Sequence, residues 1–81
     1  MDNNYVMREA KALHKKLVGR TTELMNGLDN YTVGTLDYSK AFQVFRECQE
    51  MSLNLYSAIY NKEYTKLAKL LVKNGYEIEG V

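Results

Sequence analysis

The sequence predicts an all-α fold, an antiparallel helical hairpin whose second helix is broken or kinked, so that the chain has three helices. Apolar residues recur at steps of three and four over two long stretches, which is the period of one helical face. None of the 81 residues is proline, so long helices are permitted. The turn-forming residues Asp29, Asn30 and Gly34 separate the two stretches.

The first helix is expected at about residues 3–27. Asp2 is its predicted N-cap, and Asn26-Gly27 predicts its C-terminal cap, because glycine adopts the left-handed conformation easily. Gly19 lies in the middle, where it either weakens the helix or marks a close approach of a neighbouring helix. The apolar face of this helix contains Val6, Ala10, Leu13, Leu17, Leu24 and Leu28.

Residues 28–36 form the predicted loop, and a helix of about residues 38–60 follows with Asp37 as its N-cap. Its apolar face contains Ala41, Val44, Phe45, Cys48, Met51, Ser52, Leu55 and Ile59. Continuing that face leads to Lys62 and Lys66, whereas a new apolar stripe begins at Tyr60, rotated by roughly a third of a turn. We therefore predict a break near Asn61, which would cap a third helix at about residues 62–74.

The tail, residues 75–81, begins after a predicted C-cap at Asn74-Gly75. Tyr76 and Ile78 alternate with Glu77 and Glu79, which is the pattern of a strand over a very short span. The tail is expected either to pair with residues 31–33, which have strand character, or to fray.

Length limits how the chain is stabilised, because 81 residues allow one domain with a thin core. Small folds usually compensate with disulfides, a metal or self-association. Cys48 is the only cysteine and His14 the only histidine, so neither an internal disulfide nor a structural zinc site is expected. Self-association remains, and we predict a bundle-like homodimer or higher oligomer.

Composition narrows the function classes. The chain has 11 basic and 10 acidic residues, a balance that disfavours a dedicated DNA-binding domain. The sequence shows no bilayer-spanning apolar run and no signal-peptide pattern, so we expect a soluble, cytoplasmic protein. It contains no catalytic or phosphate-binding motif; His14 fits a half-buried packing role at a helix interface, and Cys48 fits a buried one. The sequence therefore predicts no enzyme activity, cofactor or metal.

Tyrosine is the unusual component, with seven in the chain. Tyr56, Tyr60 and Tyr64 recur every four residues, which places them along one helix face. Such a row either packs in a core or forms an interaction surface, since tyrosine is enriched at interfaces. Together with Leu67 and Leu71 these tyrosines are the candidate interaction surface.

Two groups of basic residues are candidates for binding phosphates or an acidic partner. Lys62, Lys66, Lys69 and Lys73 align on one face, and Arg8, Lys11 and Lys15 form a weaker group near Tyr5, a candidate for base stacking. Such rows are more often a solvated helix face. The basic segment 62–73 is also amphipathic, a pattern of peripheral membrane binding, although membrane binding is the less expected outcome.

The predicted function is a small non-enzymatic interaction protein, an adaptor, inhibitor or regulator, that contacts itself and a protein partner through helix faces. Nucleotide or RNA binding through tyrosine and lysine is the alternative, and membrane binding through residues 62–73 is the third. The composition also resembles that of viral accessory proteins.

Overall fold

The computed structural model describes residues 2–80, and within that range it contains three α-helices and no strand. Helix α1 spans Asn3–Gly27, α2 spans Leu36–Tyr60 and α3 spans Tyr64–Lys73, with a short 3₁₀ turn at Leu28–Asn30 after α1. The prediction of an all-α chain with three helices is confirmed. Val81, the end of the predicted tail, lies outside the described residues.

Helices α1 and α2 run antiparallel to each other. The His14 ring lies 5.7 Å from the Tyr56 ring, whereas Thr21, further along α1, donates a hydrogen bond from Oγ1 to Sγ of Cys48 at 3.3 Å. Later residues of α1 thus meet earlier residues of α2. The molecule is elongated, with principal extents of 46 × 18 × 16 Å.

Side-chain hydrogen bonds cap the first turns of both long helices. The Asp2 carboxylate accepts from the backbone N–H of Tyr5 at 3.1 Å, as the sequence predicts. For α2 the N-cap is Thr35 rather than Asp37, because the Thr35 hydroxyl accepts from the N–H of Tyr38 at 3.2 Å. Asp37 instead lies in the first turn, where a carboxylate interacts favourably with the helix dipole.

The C-terminal end of α1 differs from the prediction. Gly27 has φ −67°, a helical value, so it does not form a left-handed cap. The N–H of Leu28 bonds to the carbonyl oxygen of Met25, and the chain tightens directly into the 3₁₀ turn. Gly19 marks no close approach either, since no atom outside its own helix lies within 4 Å of the position a Cβ would take.

The break between α2 and α3 is a Schellman motif. Lys62 adopts the left-handed conformation with φ +54°, and its N–H bonds to the carbonyl of Ile59 at 3.1 Å. The N–H of Glu63 bonds to the carbonyl of Ala58 at 2.9 Å. Asn61 therefore ends α2, and Glu63, not Asn61, precedes α3.

A second Schellman motif ends α3. Gly75 has φ +90°, its N–H bonds to the carbonyl of Val72 at 3.0 Å, and the N–H of Tyr76 bonds to the carbonyl of Leu71 at 3.0 Å. Tyr76 then packs against the core together with Ile78, while the two glutamates of the tail are exposed. The alternation of apolar and acidic residues in the tail therefore reflects packing of one side of the tail on the helices, and the tail forms no strand within residues 2–80.

The tail does not pair with residues 31–33. Those residues follow α1, whereas the tail packs against the core that contains Val6, near the beginning of the same helix. A helix of 25 residues is about 37 Å long, so the two segments lie at opposite ends of the molecule.

The core lies near the ends of the helices that meet α3. Its buried apolar side chains come from all three helices: Val6, Ala10, Leu13, Leu55, Ala58, Leu67, Ala68 and Leu71. Between residues 14 and 51, by contrast, no side chain is buried. Helix α3 thus covers one part of the α1–α2 pair and leaves the rest as two helices in contact. Within residues 2–80 no helix has the length and hydropathy needed to cross a membrane.

Candidate interaction surface

The pair formed by α1 and α2 has two long sides, and α3 covers part of only one of them. At about 100° per residue, Leu13 and His14 point to opposite sides of the plane through the two helix axes. Leu13 is buried in the core with residues of α3, whereas His14 contacts Tyr56, which is 55% exposed. The side that carries His14 and Tyr56 is therefore the uncovered one.

Helix α2 contributes a row of large apolar side chains to this uncovered side: Tyr38, Phe42, Phe45, Leu53, Tyr56 and Tyr60. Neighbouring rings in the row are close, with centroids 6.1 Å apart for Tyr38 and Phe42 and 5.9 Å apart for Phe42 and Phe45. Tyr56 and Tyr60 are stacked at 6.5 Å. Tyr38, Phe42 and Phe45 follow one another at steps of four and three, as do Leu53, Tyr56 and Tyr60 at steps of three and four. The eight residues from Phe45 to Leu53 are two further steps of four, with the exposed, uncharged Gln49 at the middle position, so all six lie on one strip of the helix surface.

Helix α1 contributes His14, Val18 and Met25 to the same side. Val18 is 46% exposed and Met25 is 50% exposed, and both flank the apolar face of α1 on the side that faces away from α3. We call this surface, formed by the six residues of α2 and these three of α1, the aromatic face.

The aromatic face contains no aspartate, glutamate, lysine or arginine. Lys11 on α1 and Arg46 on α2 border it, at about 20° from Val18 and Leu53 on the respective helices. Arg46 is paired with Glu50 at 3.4 Å, on the outward side of α2. An apolar centre with a charged border is the composition typical of a protein interface.

The interaction residues predicted from the sequence divide between this face and the core. Tyr56 and Tyr60 lie on the aromatic face, and Tyr60 is 76% exposed. Tyr64 begins α3, beyond the Schellman turn, and is half-buried. Leu67 and Leu71 are fully buried against α1 and α2, because the turn folds α3 back onto the pair. They belong to the core and not to an exposed surface.

Three residues of the aromatic face were not among the interaction residues predicted from the sequence: Tyr38, Phe42 and Leu53. They lie about 80° to 140° around the helix from the centre of the main apolar stripe of α2, which contacts α1. A second stripe was nevertheless visible in the sequence, since Tyr38, Phe42 and Phe45 continue at helical steps towards Tyr56 and Tyr60.

The lysine row lies on the outward side of α3, except for Lys62, which occupies the left-handed turn position. Lys66, Lys69 and Lys73 are exposed, and within residues 2–80 no carboxylate lies within 4 Å of their ammonium groups. Tyr64 lines a shallow depression together with Glu63, Lys66 and Lys69. The apolar side of α3 packs against the core, so it is not presented to a lipid surface.

The basic group near the N-terminus stands in a different environment. Lys11 and Lys15 are exposed, and Arg8 lies over the Tyr5 ring, 5.5 Å from its centroid, and 3.6 Å from Glu9. Tyr5 lines an open cleft of about 610 Å³ whose charged walls are Asp2, Arg8, Glu77 and Glu79. Three carboxylates and one guanidinium make this cleft unfavourable for a phosphate.

The sequence matches no protein-family model and no curated protein, and no solved structure matches the chain.

Proposed function

We propose that this protein is a small non-enzymatic interaction protein whose aromatic face binds a macromolecular partner. The observation that carries the proposal is an uncharged side of the molecule on which large apolar residues stay exposed, with Leu53 at 61% and Tyr60 at 76%, and which Gln49 interrupts on α2 with an uncharged side chain. Contiguous exposed apolar surface with a polar border marks interaction sites, because leaving it in water costs free energy.

The chemistry of the aromatic face suits tight binding. Tyrosine and phenylalanine side chains bury much apolar area while losing little rotational freedom, which is why aromatic residues dominate binding energy at interfaces. The rings are also held in place, since neighbours along α2 already stack on one another. An adaptor, inhibitor or regulator needs only such a preorganised surface.

Site-specific photo-crosslinking tests the proposal. A photoreactive phenylalanine analogue replaces Tyr60, on the aromatic face, or Asn54, an exposed residue on the outward side of the same helix. In cells that express the protein, we expect discrete crosslinked protein adducts from position 60 and none from position 54. Equal crosslinking from both positions, or none from either, would contradict the proposal.

Nucleotide or RNA binding is the second candidate, and the environment of the α3 lysines favours it. Lys66 and Lys69 stand beside Tyr64, and within residues 2–80 no carboxylate lies within 4 Å of either ammonium group. Two cations, the carboxylate of Glu63 and a half-buried ring thus line one depression, which leaves it with a net positive charge. Backbone phosphates bind ammonium groups while a base stacks on a ring in this kind of site.

Fluorescence anisotropy with a labelled single-stranded RNA tests this second candidate. Two phosphate contacts, one each from Lys66 and Lys69, predict an affinity loss of about sevenfold between 50 and 200 mM salt. Lys66→Glu should abolish binding, whereas Lys40→Glu, at an exposed position of α2, should leave it unchanged. Binding that is absent in low salt, or equally weakened by both variants, excludes RNA as the ligand of this site.

A further inference from the structure

We propose that the aromatic face is covered by a second copy of the same chain, so that the protein is a two-fold symmetric homodimer. The inference rests on the proposed function and deepens it by naming the partner of that surface. Four properties of the chain support a copy of itself over a different protein.

The first property is where the molecule lacks a core. No side chain between residues 14 and 51 is buried, although this range includes most of both long helices. Two helices in contact bury only one narrow stripe each, and helices in proteins owe most of their stability to packing of a whole apolar face. The uncovered part of the hairpin needs a further layer, and the aromatic face extends along it.

The second property is charge. In a two-fold interface the same patch meets itself, so a patch with charges of a single sign opposes pairing with its own copy. The aromatic face has no Asp, Glu, Lys or Arg within it, and the whole chain carries a formal net charge of only +1. Self-pairing therefore meets no charge repulsion within the face and little long-range repulsion, and the cations Lys11 and Arg46 lie only at its border.

The third property is area. With principal extents of 46 × 18 × 16 Å, one long side of the molecule has a projected area of about 700–800 Å². A specific protein interface of standard size buries about 800 Å² on each partner. The aromatic face extends from Tyr38 to Tyr60, about 33 Å along α2, and supplies about 500–600 Å² of this projected area. Together with the side chains that border it on the same long side, it reaches the area of a stable dimer interface.

The fourth property is the position of α3. Because α3 packs on the side of the α1–α2 pair opposite the aromatic face, it lies outside any layer formed by two aromatic faces. Two copies then place α1 and α2 of each chain in a central four-helix bundle, and the same patch meets itself, as a two-fold interface requires.

The experiment compares two glutamate substitutions at neighbouring positions of α2. Leu53→Glu places a charge on the aromatic face, where Leu53 is 61% exposed in the single chain, so the fold of that chain tolerates the change. Asn54→Glu adds the same charge to the outward side. Molar mass is measured by light scattering after size exclusion from 1 to 100 μM, with circular dichroism as the check on folding.

We expect about 19 kDa for the wild-type chain and for Asn54→Glu, twice the 9.4 kDa of one chain. Leu53→Glu should remain helical and elute at the mass of one chain, because pairing would bury two unpaired carboxylates; the dimer dissociation constant should rise at least about 100-fold.

A wild-type chain of 9.4 kDa at 100 μM overturns the homodimer, as does a dimer that both variants retain. The photo-crosslinking at position 60 separates this failure from that of the proposed function. Adducts only with other proteins, together with a monomeric chain, reject the homodimer and leave the interaction function standing. No adduct and no dimer reject both.

Discussion

Lys62 shows how a single residue sets the direction of a helix. It is the only residue other than glycine with positive φ among residues 2–80, and this conformation allows the two hydrogen bonds that end α2 and turn the chain into α3. A residue with a Cβ pays about 1–2 kcal/mol for the left-handed conformation, which glycine avoids. The turn therefore carries steric strain from the Cβ of Lys62, whereas its backbone N–H groups at Lys62 and Glu63 are hydrogen-bonded.

We expect Lys62→Gly to raise the free energy of unfolding by up to about 1 kcal/mol, because it removes this steric cost. The same substitution at Lys66, inside α3, should lower that free energy by about 1 kcal/mol, the usual penalty of glycine in a helix. Urea unfolding at one fixed protein concentration measures both. Destabilisation by Lys62→Gly would contradict the assigned role of the turn.

Two glycines should respond to alanine with opposite signs. Gly19 lies in α1 with open space around the Cβ position, so Gly19→Ala should stabilise the protein by about 0.5–1 kcal/mol. Gly75 has φ +90°, so Gly75→Ala should destabilise it by about 1–2 kcal/mol. Thermal unfolding followed by circular dichroism compares them. Equal signs would show that the local backbone conformation does not decide the outcome.

At the scale of elements, the three helices differ in how they are stabilised. Helices α1 and α2 have 25 residues each and side-chain N-caps, whereas α3 has 10 residues and no side-chain cap hydrogen bond at its N-terminus. A helix so short is marginal on its own. Its stability comes from Leu67, Ala68 and Leu71, which are fully buried, and from the Schellman motif at Gly75.

Leu67→Ala should therefore lower the free energy of unfolding by about 2–5 kcal/mol, the usual cost of a large-to-small change in a core. Val72→Ala is the matched control, since Val72 lies on the same helix and is 41% exposed; there the expected change is within about 0.5 kcal/mol. Chemical denaturation of both variants measures the difference. Similar small effects would mean that α3 contributes little to the core.

The helical pattern predicted the elements better than their ends. The period of the apolar residues identified both long helices and the change of face near Asn61, because that signal repeats over many turns. The caps depend on single hydrogen bonds, and Thr35 and Asp37 are both good N-caps by type. The choice was decided by the conformation of the preceding loop, where the Thr35 hydroxyl donates to the carbonyl of Thr32 at 2.7 Å.

At the scale of the whole molecule, stability is unevenly distributed. The side chains of three helices interlock around Leu55 and Leu67, whereas the part of the hairpin towards the connecting loop has no buried residue. Local opening costs least free energy where few apolar contacts are lost. Covering the aromatic face would protect the same part of the chain that lacks a core.

Hydrogen exchange measures this distribution. In the Leu53→Glu variant, amides of residues 18–28 and 38–48 should exchange through openings of lower free energy than those of residues 6–13 and 64–71. In the wild-type chain, dilution from 100 to 1 μM should selectively speed exchange in the first two ranges, since only their protection depends on a second copy. Uniform protection at every concentration would contradict this division of the molecule.

The sequence by itself determined that the chain is helical and where its helices lie, because periodicity and turn residues act locally along the chain. Only the tertiary structure decided which apolar residues are core and which are surface. Leu67 and Tyr56 carry similar sequence signals, yet the turn at Lys62 buries the first and leaves the second exposed. The physical reason is that burial depends on which side of the α1–α2 pair α3 occupies, a property of packing between helices that no single helix pattern contains.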